Sequence, residues 1–249
     1  MSAAATTLWF IDTPDPASQI REGLVNDVDD ARALAQTIYG ENVLVPFVDT
    51  DLATAAQTHD THVYAGSFGG LSVVTCSLFA TQRPSTLTRT VNALRASHRA
   101  TLLHTDPEDS VGVFACWETG ELRRSFSASP VDLYEDSGLP FIFEGPFWAG
   151  EHPLRYAPGV DPQPFALPFH PQHLAEESNR QWLGFRFTHP LAASDTDPAR
   201  IPVTGFSIHP VGYEPDDVDR DTYRRSHEPP PEPEAELPER GRIARYFGF

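Results

Sequence analysis

The densest potential for chemistry lies in two short phrases, Glu151-His152 and His170-Pro171-Gln172-His173. His170 and His173 stand three residues apart, so a helix over them would set both imidazoles on one face, and Glu176 or Glu177 one turn on would add a carboxylate oxygen. Two imidazoles and a carboxylate around an open position hold zinc or iron and leave room for water or substrate. A divalent metal is thus the cofactor that His170, His173 and Glu176 admit, and a metal-assisted hydrolase using the Glu151, His152, His170 and His173 group is the enzyme class implied. The plainer reading makes His170 a helix cap ahead of Pro171 and Glu151 an acceptor for backbone amides, and it is preferred because the ligand motif is incomplete. Glu151 and His152 sit among Phe143, Phe147, Trp148 and Tyr156, so the same stretch is read as an aromatic loop over a pocket with these two residues and Trp148 in its wall.

Other candidates are weaker. Ala65-Gly66-Ser67-Phe68-Gly69 fits the A-x-S-x-G variant of a nucleophile elbow, but an elbow needs a helix after the Ser and Leu71 to Cys76 reads as a strand. A hairpin turn is expected instead, and the same argument removes these glycines as a dinucleotide loop. Cys76 and Cys116 fall in predicted strands with no adjacent base and read as small core residues. Arg123-Arg124 would grip a carboxylate or phosphate bidentately. With 35 acidic side chains in the chain, an internal ion pair is the expected use.

Composition excludes whole chemistries. All 18 basic residues are Arg, which rules out a P-loop, a pyridoxal phosphate Schiff base and the protein-kinase layout, each of which needs a lysine. A net charge of −17 repels nucleic acid and anionic lipid, so neither is an expected partner. No apolar run is long enough to span a membrane and Met1 to Thr7 lacks a signal pattern. With only two cysteines, a reducing cytoplasm is the expected location.

The elements that must position these residues read as follows. Thr7 to Ile11 is a strand stopped by Asp12-Thr13-Pro14-Asp15-Pro16. A helix capped by Asp27 or Asp29 buries Val28, Ala31, Leu34, Ala35 and Ile38 and stops at Gly40. Val43 to Val48, holding Pro46, is an edge strand. His62 to Ala65 and Leu71 to Phe79 form a hairpin over Gly69-Gly70, a helix covers Leu87 to His98, and strands follow at 101–104, 111–118 and 121–128. The strand at 111–117 is apolar on both faces and therefore central, whereas Glu121, Ser125 and Ser127 give the return strand one solvent face. A helix begins at Pro171 and runs to Trp182.

The phrases Trp117 to Arg124, Phe143 to Pro153 and Pro168 to Pro171, with Tyr64-Ala65-Gly66, resemble an uncharacterised actinobacterial family, a domain of unknown function. The resemblance spans about residues 6 to 190 and implies no activity or site residue. Taken together, the expectation is an α+β domain over residues 1–212, with a mixed, largely antiparallel sheet and helices mainly on one face. An extended acidic, Pro-rich linker over 213–239 and a basic-aromatic peptide at 240–249 follow. In that peptide Arg242, Arg245, Tyr246, Phe247 and Phe249 are of the types that anchor small interfaces, to a protein partner or to a second copy. The function read from the sequence is a binding or protein-interaction module, with the metal-assisted hydrolase as the alternative.

Overall fold

The computed structural model describes residues 3–57, 61–154, 159 and 164–227. Nine strands form one sheet: β1 (Ala5–Ile11), β2 (Val43–Asp51), β3 (His62–Ser67), β4 (Leu71–Thr75), β5 (Arg99–Asp106), β6 (Val111–Glu118), β7 (Glu121–Ala128), β8 (Leu133–Gly138) and β9 (Pro202–His209). Their order across the sheet is β2-β9-β3-β4-β1-β5-β6-β7-β8, and every neighbouring pair is antiparallel. The expected α+β class with an antiparallel sheet is the one the chain adopts.

The helices cover both faces, not mainly one, because the central strands are apolar on both sides. Along β1, Leu8 and Phe10 join one core with Ala31, Leu34 and Ala35 of α2 (Val28–Tyr39) and Val91 and Leu94 of α4 (Thr88–Leu94). Trp9 and Ile11 point the other way, into a core shared with Ile20 of α1 (Pro16–Glu22), Leu52 of α3 (Leu52–Ala55), Phe147 of α5 (Gly145–Trp148) and Leu174, Trp182 and Leu183 of α6 (Pro171–Leu183). The cap expected for α2 is present: the Asp27 carboxylate accepts from the Asp30 amide at 3.0 Å.

Close packing fixes α6 on the sheet. A Cβ at Gly112 on β6 would run into the backbone of Pro171 and Gln172, so only glycine lets the start of α6 lie flat there. The β6–β7 turn uses Thr119 (φ 50°) and Gly120 (φ 87°), the positive-φ pair of a tight hairpin.

Three further expectations are corrected. Ser125 and Ser127 are fully buried, because the single 3₁₀ turn Pro84–Leu87 closes over that face of β7. The helix expected to reach His98 stops at Leu94, since Arg95 turns to extended backbone (φ −156°, ψ 126°). Within the expected linker, α7 (Asp217–His227) packs on edge strand β2, with Tyr213 and Tyr223 donating to Asp219 and Asp49. No helix among the described residues is long and apolar enough to cross a membrane.

Candidate functional site

The expected metal set is not assembled. The rings of His170 and His173 do come together, 5.1 Å apart. Glu176, however, faces inward: its carboxylate accepts from the Phe187 amide (2.8 Å), the Thr188 hydroxyl (3.0 Å) and the Thr188 amide (3.4 Å), which ties the chain after α6 to that helix. Burial pushes its pKa up despite these bonds. Among the described residues no group of three His, Cys, Asp or Glu side chains is placed to hold a metal.

The aromatic loop expected to close over a pocket lies partly outside the described residues, Tyr156 included. Among the described residues Phe126, Phe147, Trp148 and Phe169 pack edge to face against one another. Glu151 and His152 are exposed, and the His152 ring lies flat on Phe147 with centroids 4.2 Å apart.

Arg124 makes the internal pair that charge balance suggested. It is fully buried, bidentate to the equally buried Glu144 at 2.9 and 2.7 Å, and also holds Asp136. Burial works against its charge, but the bonds to Glu144 and Asp136 prevail and raise its pKa. Arg123 lies over the Phe141 ring and donates to the Leu139 carbonyl at 3.0 Å. Both arginines therefore brace the segment after β8. The docking residues Arg242, Arg245, Tyr246, Phe247 and Phe249 lie outside the described residues.

Side chains converge instead at the end of β1. A cleft of about 590 Å³ opens between the end of α4, the start of β5 and the β6–β7 turn, with Val91, Ala96, Ala100 and Trp117 as its apolar wall. Asp12, Asn92, Arg95, His98 and Thr119 supply polar groups to it. A second cleft of about 360 Å³ adjoins it, sharing Asp12 and His98 and continuing to Thr13, Pro14 and Arg99.

Each wall is fastened. Asp12 accepts from the His98 amide at 2.7 Å, Asn92 donates to the Gly120 carbonyl at 2.9 Å, and the Trp117 indole donates to the Thr88 hydroxyl at 3.0 Å. Arg95 makes a fork to both oxygens of Asp30 (2.9 and 2.8 Å) and donates to Ser72 at 3.1 Å. Asp30 in turn receives the Ser67 hydroxyl, and that bond, with help from Arg95, holds its carboxyl below the ordinary range. Ser67 is thus the anchor of a carboxylate–guanidinium network, buried at the turn of the hairpin it was expected to occupy.

A family model, Family of unknown function (DUF6928), matches residues 5–206. The chain belongs to this family. The matched span covers all nine strands but for the last residues of β9, and it holds every residue of the cleft, while α7 lies beyond it. No curated protein and no solved structure gives a significant match.

Sequence reasoning missed Asp12, Asp30, Arg95 and His98 as a group. Asp12 was visible only as part of a turn cluster, and Arg95 and His98 only as the end of a helix. Their partners lie 65 and 86 residues away along the chain, a separation that no local pattern reports.

Proposed function

We propose that the protein is a binding module whose ligand seat is the cleft at the end of β1. The observation that carries this reading is a cavity of ligand-pocket size with an apolar wall that includes the Trp117 indole and a polar rim of Asp12, Asn92 and His98. Its walls are held by hydrogen bonds that need no ligand to form, so little ordering would oppose binding. The rim carries both a carboxylate and an imidazole over an apolar floor backed by the buried Trp117. That combination suits a small polar molecule with an apolar or aromatic body. The two buried free cysteines agree with a reducing cytoplasm as the place where it acts.

The test is a thermal-shift panel of small nucleosides, aromatic acids and amino acids, repeated on His98→Ala and Asn92→Ala. Both side chains are exposed, so neither change should cost much stability. A compound that raises Tm in the wild type and does so at least about tenfold more weakly in either variant supports the cleft. Compounds that stabilise all three proteins equally would place the ligand seat elsewhere.

A further inference from the structure

β8 is the outermost strand at one end of the sheet, and among the described residues it pairs only with β7. Among the described residues no strand pairs with its outer side, although the Ser137 carbonyl takes a bond from Arg124 and the Leu139 carbonyl one from Arg123; such an edge is the usual template for adding a strand. Large apolar side chains are strung along it: Val131 before the strand, Leu133 at its start and Leu139 just past its end are 42%, 52% and 73% exposed. Ile142, one turn further, is 98% exposed. Between them stand Asp132, Glu135 and Asp136; Glu135 already accepts from Ser85 and Asp136 from Arg124, but with Glu144 these carboxylates outnumber Arg123 and Arg124, so the edge is at once apolar and net acidic.

This combination selects its occupant. Two β8 strands pairing antiparallel about their midpoint would set Glu135 against Asp136, and like charges directly opposite each other disfavour such a pair. Residues 240–249 of this chain have the opposite character. Arg240, Arg242 and Arg245 carry no acidic neighbour among them, and Ile243, Tyr246, Phe247 and Phe249 supply the apolar contacts.

Geometry decides between the same copy and another. α7 packs on β2, the far edge of the sheet from β8. Eight interstrand steps of about 4.8 Å place the two edges roughly 38 Å apart. Residues 228–239, about 12 of them, span at most about 40–43 Å when fully extended. A straight path is closed because α2 and α4 stand over one face and α6 over the other. The reach to the same copy's β8 is therefore too short once the detour is included.

We propose that residues 240–249 of one copy dock along the β8 edge of a second copy. Arg242 and Arg245 lie towards Glu135 and Asp136, and the aromatic side chains cover Leu133 and Leu139. The interface is small, so association is weak and weakens further with salt.

Disulfide trapping in the full chain tests it. The native thiols give a quiet background: Cys76 and Cys116 are buried, and burial pushes the Cys116 thiol up to about 12. Leu133→Cys and Tyr246→Cys are made in separate chains, mixed, and oxidised with diamide. The expected result is a mixed disulfide several-fold above that of Tyr246→Cys mixed with Val25→Cys, a position 88% exposed. Adding Arg242→Glu and Arg245→Glu to the Tyr246→Cys chain should abolish the excess. An intramolecular disulfide in the doubly substituted Leu133→Cys/Tyr246→Cys chain at high dilution, with none between chains in the mixture, would overturn docking to a second copy. Yields equal to the Val25→Cys control would overturn the β8 edge as the seat.

Discussion

Substituting Arg124→Met leaves the Glu144 carboxylate, wholly buried, with the Phe141 amide as its remaining partner at 2.8 Å. Removing one member of a buried ion pair costs about 3–5 kcal/mol, because the surviving charge keeps its desolvation penalty without its counter-ion. At about 2–4 °C per kcal/mol for a chain of this size, Tm should fall by about 6–20 °C. Replacing both members, Arg124→Met with Glu144→Leu, removes the stranded charge. The Phe141 amide and the Ser125 and Ser137 carbonyls still lose partners, at about 1–3 kcal/mol for a buried orphan group. The double variant should therefore be more stable than the Arg124→Met variant by about 2 kcal/mol. Urea denaturation of wild type, single and double variants measures the three values. Near-UV circular dichroism should also weaken in the single variant, since Glu144 fixes the turn that places Phe141 and Phe143 against Trp182 at 5.5 and 5.8 Å. A loss under about 1 kcal/mol in the single variant, or a double variant no better than the single, would show that the pair is not isolated from water and that the reasoning fails.

Ser67→Ala should lose about 1 kcal/mol, the net worth of a hydrogen bond, while a fluorophosphonate probe leaves wild-type Ser67 unlabelled; labelling that disappears in the variant would make Ser67 a nucleophile after all. Gly112→Ala should cost more than about 3 kcal/mol by forcing α6 off β6, and a Tm within a degree of wild type would disprove that close approach. Burial lowers the pKa of His104 and of His170, the latter with the charge of His173 adding to it. The unfolded chain then binds more protons, so stability is full above the unfolded value of about 6.5 and is lost as pH falls through it towards the lower folded values. Tm measured from pH 7.5 to 5 should drop, and His104→Gln should flatten part of the slope; an unchanged slope counts against the buried His104. Glu176 has the opposite sign. Its raised folded pKa means stability is highest below the ordinary glutamate range and declines as pH rises through it, so the cost of Glu176→Gln should shrink between pH 4 and 7, and a cost that grows over that range would contradict the assignment.

What the sequence made legible was whatever is written in short range. The capped α2, the β3–β4 and β6–β7 hairpins, the doubly buried β6 and the start of α6 each follow from periodicity and punctuation within about a dozen residues. β8 was invisible because Leu133 to Gly138 has neither alternation nor β-branched residues; what places it is the buried Arg124, whose guanidinium holds Asp136 and the Ser137 carbonyl. α7 was hidden by its composition, which is too polar to announce a buried face, and β2 supplies the packing instead. The site failed for the same reason in sharper form. His170, His173 and Glu176 have the local spacing of ligands, yet the partners that decide the role of Glu176 are Phe187 and Thr188, around the bend after the helix. Asp12, Arg95 and His98 have no local spacing at all. They meet because β1 and β5 are paired neighbours and α4 ends beside them, with Asp30 drawing Arg95 across from another helix. Spacing along one helix is thus a poor guide to chemistry in this fold, because its antiparallel sheet brings distant strand ends together. The residues worth substituting first are those at the strand ends beside β1.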